Sequence, residues 1–185
     1  MKFDKARCIP LILSGAVLFV DQISKFIIEF FWPFNNSQPW LYSSSSPIAQ
    51  VFGNDFLQII HVRNPAIAFS IGRGWAEPYK SIIVIAIPIL VVGVLLWYYF
   101  RSNDFTRLQR WATAAIIGGG LGNMIDRIFR SDGVIDFIDF KFYGIFGFVR
   151  WPTFNIADSC VVIGSITLLV SIIFFSPKRL KKKVK

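Results

Sequence analysis

Four long apolar runs constrain this chain more than any other feature of its sequence. They cover residues 9–31, 81–100, 111–129 and 155–175. A helix of about 20 residues crosses the hydrocarbon core of a bilayer. Charged residues make up only 17% of the chain, against about 25% in soluble domains, which argues against an attached soluble domain. We therefore predict an α-helical integral membrane protein with four transmembrane helices in a single membrane domain, residues 1–185.

The basic residues indicate how these helices cross the membrane. Most of the lysines and arginines precede the first run, fill the second connection or follow the fourth run. Basic residues favour the cytoplasmic side, so both termini are predicted in the cytoplasm and the loops 32–80 and 130–154 outside it. This clustering accounts for the net charge of +9 without a nucleic-acid partner. The basic tail, residues 178–185, is expected to contact anionic lipid headgroups.

The two outer loops predict a small extracytoplasmic sheet. Residues 56–63 partly alternate between apolar and polar and are rich in β-forming side chains. Residues 142–151 place two glycines among aromatic residues, a pattern that favours another strand or a hairpin. The alternative is that these aromatic side chains form a belt at the membrane interface.

The first apolar run contains two charged residues. Asp21 and Lys25 are four positions apart and share one helix face. Together with the absence of a small-x-small cleavage site, they favour a permanent helix over a cleaved signal peptide. Because paired charges in a membrane normally face the interior of the protein, they form either a structural ion pair or a contact with a substrate.

The third run ends in a glycine-rich and polar segment. The glycines of residues 118–122 allow another helix or a substrate backbone to approach closely. Asn123, Asp126 and Arg127 follow on one helix face, and Asp126 is expected to pair with Arg127 or another nearby cation.

The predicted topology brings six polar residues to one level near the outer face. They are Asn123, Asp126, Arg127, Asp136, Asn155 and Asp158. Two aspartates placed close together share a proton, so that one can activate water while the other donates to a carbonyl oxygen. That chemistry hydrolyses a peptide bond without a metal, and the lone His61 belongs to no metal-ligand cluster in the sequence.

Two other classes of protein also place charge in a membrane. A transporter or ion pathway would do so, but here the polar residues gather at one face, and the two halves of the chain lack an inverted repeat. A non-catalytic scaffold would tolerate the loss of Asp136 or Asp158.

Five motifs together resemble those of the bacterial lipoprotein signal peptidases. In chain order they are Asp21-Gln22-x-x-Lys25, Asn64 through Ala68-Phe69-Ser70, Gly119-Gly120-x-Gly122-Asn123-x-x-Asp126-Arg127, Val134-x-Asp136-Phe137 and Phe154-Asn155-x-Ala157-Asp158. The resemblance implies four transmembrane helices with a periplasmic β-cradle. It also implies cleavage of prolipoproteins on the amino side of a diacylglyceryl-modified cysteine, in the bacterial inner (cytoplasmic) membrane, at a site facing the periplasmic or extracytoplasmic side.

The resemblance also assigns roles to residues. Asp136 and Asp158 match the catalytic aspartates, Asp126 matches a structural aspartate, and Asp139 is a non-catalytic neighbour. Residues matching positions that bind substrate or support the site are Asn64, Gly122, Asn123, Arg127, Asn155 and Ala157, to which we add Asp21 and Lys25. The family implies no metal and no organic cofactor, and its partners are lipidated prolipoproteins and membrane lipids.

The sequence departs from the family pattern in its loops. Ala66 stands where the family usually has glycine, which bears on the backbone conformation there. The first loop, residues 33–55, is longer than expected, and since loops tolerate insertions it bears on substrate entry more than on the reaction.

Overall fold

The computed structural model describes residues 5–34, 43–65 and 79–175. Ala66 and the basic tail at 178–185 lie outside these residues. The helices are α1 (Lys5–Cys8), α2 (Leu11–Phe31), α3 (Tyr79–Arg101), α4 (Arg107–Phe129) and α5 (Ile156–Phe175), with a short 3₁₀ turn at Ile145–Gly147. The strands are β1 (Ala49–Phe52), β2 (Leu57–Asn64) and β3 (Val134–Phe140).

Three helices of the described segments are long and apolar enough to cross a membrane. They are Leu11–Phe31, Ile82–Arg101 and Ile156–Phe175. The predicted helical membrane protein is therefore confirmed for three spans. Helix α4 has 23 residues, but it is much less apolar, since its buried face includes Gln109, Arg110 and Asn123. Its membrane crossing remains a prediction.

The described chain divides into two compact units. The first comprises residues 5–20, 86–124 and 156–175, and the second comprises residues 21–34, 43–65, 79–85 and 125–155.

Small residues let the helices of the first unit pack closely. A Cβ atom on Gly118 would lie 2.8 Å from Ser14 Cα, and one on Gly164 would lie 2.8 Å from the Ala112 carbonyl oxygen. Ser14 Oγ donates a hydrogen bond to the Ala114 carbonyl at 2.6 Å. Helix α4 thus contacts both α2 and α5 through small or glycine positions, as expected for helices that associate in lipid.

A three-stranded antiparallel sheet in the order β1-β2-β3 forms the centre of the second unit. Between β2 and β3, Leu57 pairs with Phe140 and Val62 pairs with Asp136, with a bulge between Ile59 and Val62. The expectation of a small sheet is confirmed, and the predicted strand at 56–63 lies largely in β2.

The aromatic segment 142–151 forms a hairpin, one of the two structures that its sequence favours, and the third strand of the sheet lies before it. Residues 134–140, which lie in the predicted outer loop 130–154, form β3, while Lys141 and Arg150 close a separate hairpin beyond it. The run Val134–Phe140 places buried residues on both faces of the strand, so it lacks the strict alternation that marks a half-buried strand.

Candidate active site

Asp136 lies in the middle of β3 and is held by two amide side chains. Asn64 Nδ2 donates to Asp136 Oδ2 at 3.0 Å, and Asn155 Nδ2 donates to Asp136 Oδ1 at 2.7 Å. Asn155 Nδ2 also lies 3.2 Å from the Ile135 carbonyl oxygen. Asp136 is 2% exposed. Each of its oxygens therefore accepts a hydrogen bond from a neutral donor, which fixes the plane of the carboxylate.

The backbone around β3 explains why these amides reach Asp136. The amide groups of Phe137 and Ile138 both donate to the Phe154 carbonyl, at 3.0 and 2.8 Å, which brings the next residue, Asn155, beside the strand. At the start of β3, Gly133 has φ 96°, and a Cβ there would overlap the carbonyl oxygen of Asn64. A glycine is needed at this position because of both the conformation and the close approach.

Asp158 lies in the first turn of α5 and belongs to the first unit. Asn123 Nδ2, on α4, donates to Asp158 Oδ1 at 2.7 Å. One turn earlier on α4, Gly119 allows the Ala157 carbonyl to approach so closely that a Cβ would overlap it. The glycine-rich segment therefore brings another helix close, one of the two outcomes expected from the sequence, and it sets the position of the first turn of α5.

A buried ionic cluster connects α2 with the end of α4 in the second unit. Lys25 Nζ lies 2.8 Å from Asp21 Oδ2 and 2.7 Å from Asp126 Oδ2, and all three side chains are fully buried. The predicted ion pair between Asp21 and Lys25 is confirmed. Asp126 also pairs with Arg130 and accepts a hydrogen bond from Gln22 at 3.0 Å.

This cluster also contacts the strand that carries Asp136. The backbone amide of Ile135 lies 3.4 Å from Asp126 Oδ2. Sequence reasoning assigned no role to Gln22 or Arg130, although Arg130 follows Asp126 by four residues, the spacing of neighbours on a helix face. Arg127 is half-buried, while Gly122 and Ala157 are buried.

Further ion pairs hold the outer part of the sheet. Arg150 Nε donates to Asp139 Oδ2 at 2.6 Å, so Asp139 has a structural partner. Lys141 Nζ donates to Asp55 Oδ2 at 2.7 Å, and this hydrogen bond lowers the pKa of Asp55 below its usual value. Asp139 and Asp55 thus connect the hairpin to the rest of the sheet.

His61 joins β2 to the end of α2. Its Nδ1 donates to the Trp32 carbonyl at 2.7 Å, while Nε2 is buried without a hydrogen-bond partner. Burial lowers the pKa of His61, because the charged form is disfavoured away from water. Within residues 5–34, 43–65 and 79–175, no three His, Cys, Asp or Glu side chains are grouped to hold a metal ion.

Comparison with solved structures identifies the class of protein. The chain is 26% identical to a bacterial membrane enzyme solved by the in meso method at 1.9 Å resolution, with a TM-score of 0.70 over 90% of this chain and 94% of that one. A second structure of this description, at 2.3 Å, gives a TM-score of 0.66 over 89% and 87%. With three membrane-spanning helices and these neighbours, the chain is a multi-pass membrane enzyme.

Comparison with known sequences identifies the family. The model of signal peptidase (SPase) II matches residues 13–174. The lipoprotein signal peptidase of Treponema denticola is 41% identical over 99% of both chains, and that of Treponema pallidum is 40% identical over 93% of this chain and 87% of its own. The chain belongs to the signal peptidase II family of proteases, and the resemblance inferred from its motifs is confirmed.

Proposed function

We propose that this protein is an aspartic endopeptidase that removes the signal peptide from prolipoproteins. It cleaves on the amino side of the diacylglyceryl-modified cysteine, at the extracytoplasmic face of the bacterial inner membrane. Membership of the signal peptidase II family carries this proposal, and the name of the Treponema relatives supports the class of substrate. Asp136 and Asp158 form its catalytic dyad.

The contacts of the two aspartates support this assignment. In its own unit, each carboxylate accepts a hydrogen bond from an asparagine side chain, Asp136 from Asn64 and Asn155, and Asp158 from Asn123. An amide donor orients a carboxylate and carries no charge of its own. Asn155, which donates to Asp136, precedes Asp158 by three residues. One short segment of the chain therefore contains a hydrogen-bond donor to Asp136 as well as Asp158 itself.

The dyad hydrolyses the peptide bond in two steps. The ionised carboxylate takes a proton from water as the water oxygen bonds to the scissile carbonyl carbon, and the protonated partner donates its proton to the carbonyl oxygen. The first aspartate then gives its proton to the leaving nitrogen as the C–N bond breaks, and the second recovers a proton from the hydroxyl group. Because the two carboxyl groups share one proton, the roles of base and acid are not assigned to particular residues.

The buried ionic cluster is proposed to support the site. Lys25, Asp21 and Asp126 hold α2 against the end of α4, and Asp126 accepts a hydrogen bond from Ile135, the residue before Asp136. A shift of about 1 Å in a reacting group can cost about 100-fold in rate. The cluster therefore acts on catalysis by fixing where β3 begins.

The proposal is tested with a synthetic prolipoprotein peptide in two forms, one with a diacylglyceryl group on its cysteine and one without. The purified protein in lipid nanodiscs is expected to cleave only the lipidated form, and mass spectrometry is expected to find the modified cysteine at the new amino terminus. Equal cleavage of both forms, or cleavage at another bond, would refute the substrate assignment.

A further inference from the structure

The hairpin that follows β3 is fixed by its own backbone hydrogen bonds. The Phe142 amide donates to the Val149 carbonyl at 2.8 Å, and the Gly144 amide donates to the Phe148 carbonyl at 2.9 Å. The backbones of Lys141 and Arg150 form an antiparallel β-bridge at its base. The segment from Lys141 to Arg150 is called the aromatic hairpin below. Its tip has a defined shape.

The tip directs large apolar side chains away from the protein. Phe146 is 86% exposed, Val149 is 68% exposed and Tyr143 is 66% exposed. Tyr143 and Phe146 have φ values of 54° and 52°, a conformation that bulky residues rarely adopt. Backbone strain of this kind is concentrated at functional segments, and here both strained residues carry exposed aromatic rings.

Aromatic contacts extend this apolar surface to the edge of the sheet. Trp151 supports the base of the hairpin, with its ring centroid 4.9 Å from that of Phe142. Tyr143 stacks on Phe56 at 6.3 Å, and Phe56 contacts Phe52 at 6.1 Å. Phe52 is itself largely exposed. The exposed rings therefore form one continuous surface on the second unit.

The two basic residues at the base of the hairpin are each paired with an aspartate. Lys141 bonds to Asp55, and Arg150 bonds to Asp139. An isolated charge would oppose transfer of this surface out of water, because its desolvation is costly. Since each of these charges has an oppositely charged partner, the surface can leave water without the desolvation of an unpaired charge.

The same unit contains the end of a membrane-spanning helix. Helix α2 ends at Phe31, and His61 of β2 donates to the carbonyl of the next residue, Trp32. Arg63 of β2 pairs with Glu29 in the last turn of that helix. The sheet is thus attached where a membrane span ends, and aromatic side chains favour the boundary between lipid and water at the ends of such spans.

We propose that the aromatic hairpin is a membrane anchor that inserts Phe146, Tyr143 and Val149 among the lipid headgroups and upper acyl chains. The occupant of the exposed surface is the lipid of the membrane that α2 spans. Inserting these rings would hold the sheet, and with it Asp136 on β3, at a fixed depth relative to the bilayer.

The test measures the surroundings of a spin label on the tip. Phe146→Cys is labelled in a background in which Cys8 and Cys160 are replaced by alanine. The matched control is Ser45→Cys, an exposed polar position of the same unit. Each protein is placed as a single copy in nanodiscs of phosphatidylethanolamine and phosphatidylglycerol, and peptide cleavage verifies that each is folded.

Collision with oxygen, which concentrates in lipid, is compared with collision with a water-soluble nickel complex. At position 146 the ratio of oxygen to nickel collisions is expected to be several-fold higher than at position 45. A label as accessible to nickel as the control would place the tip in water and overturn the proposal. A label shielded from both reagents would mean that protein covers the tip, which would overturn it too. Val149→Cys repeats the measurement at a second position.

Discussion

Replacing Lys25 by methionine tests the role of the buried ionic cluster. The ammonium group lies within 2.8 Å of Asp21 and Asp126, and neither carboxylate is exposed. Removing one partner of a buried charge pair typically costs about 3–5 kcal/mol, because a charge is left uncompensated. Arg130 and Gln22 still contact Asp126, so we expect a loss of about 3 kcal/mol, near the lower limit of that range.

The loss is measured by equilibrium unfolding of the purified protein in detergent micelles. Lys141→Met is the matched control. Lys141 also pairs with an aspartate, Asp55, but the side chains of both partners are partly exposed. Exposed pairs add little to stability, so this variant is expected to unfold nearly like the wild type. A Lys25→Met variant that lost no more stability than Lys141→Met would refute the reasoning.

Three further predictions follow from the packing around the two aspartates and from His61. Gly119→Ala is expected to reduce cleavage strongly, because its Cβ would overlap a carbonyl of α5, whereas Gly93→Ala, which has no atom within 4 Å of the new Cβ, keeps wild-type activity. Gly133→Ala is expected to lower kcat by about 100-fold through displacement of Asn64 and to destabilise the fold by about 1–2 kcal/mol from its left-handed φ. Lowering the pH below 6.5 is expected to destabilise the protein. The pKa of His61 is lower in the folded state than in the unfolded state, so the unfolded state binds more protons in this pH range.

Each of these predictions has an outcome that would contradict it. Equal activity of Gly119→Ala and Gly93→Ala would mean that the approach of the two helices does not set the site. An unchanged kcat in Gly133→Ala would mean that the position of Asn64 against Asp136 does not affect catalysis. For His61, the free energy of unfolding is compared at pH 7.5 and pH 5.5 in the wild type and in His61→Gln. A pH dependence that survives in the variant would have another source.

Apolar composition predicted most of the fold, and it worked best where lipid faces the helix. The three confirmed spans have apolar residues around most of their surface, so length and hydropathy suffice to find them. Helix α4 is less apolar because neighbouring elements cover its polar residues, such as Gln109 and Thr113. Hydropathy alone therefore says less about a helix that other helices surround.

The sheet was harder to predict because its strands depend on tertiary contacts. Strand β3 is buried on both faces over most of its length, and such a strand lacks a strict period of two. The aromatic hairpin has stronger β-forming composition, yet its positive φ values bend it into a turn. Local propensity correctly indicated a strand or a hairpin at residues 142–151, but it gave no sign of β3.

The candidate site was predicted partly from residue chemistry and partly from resemblance. The spacing of Asp21 and Lys25 indicated their ion pair directly. Asn64 came from the family motif alone, because no local pattern links it to Asp136, 72 residues away. The role of Gly133 came from the structure, since only the folded backbone brings it against Asn64.

The most direct test of the central claim is the cleavage rate of a lipidated prolipoprotein peptide by Asp136→Asn and Asp158→Asn. Asp132→Asn is the matched control, because Asp132 is exposed in the turn before β3. With helix content equal in all variants, each dyad substitution is expected to lower kcat by about 10²–10⁴-fold, while the control retains the wild-type rate. A folded Asp136→Asn or Asp158→Asn protein that cleaves at the wild-type rate would contradict the two-aspartate mechanism.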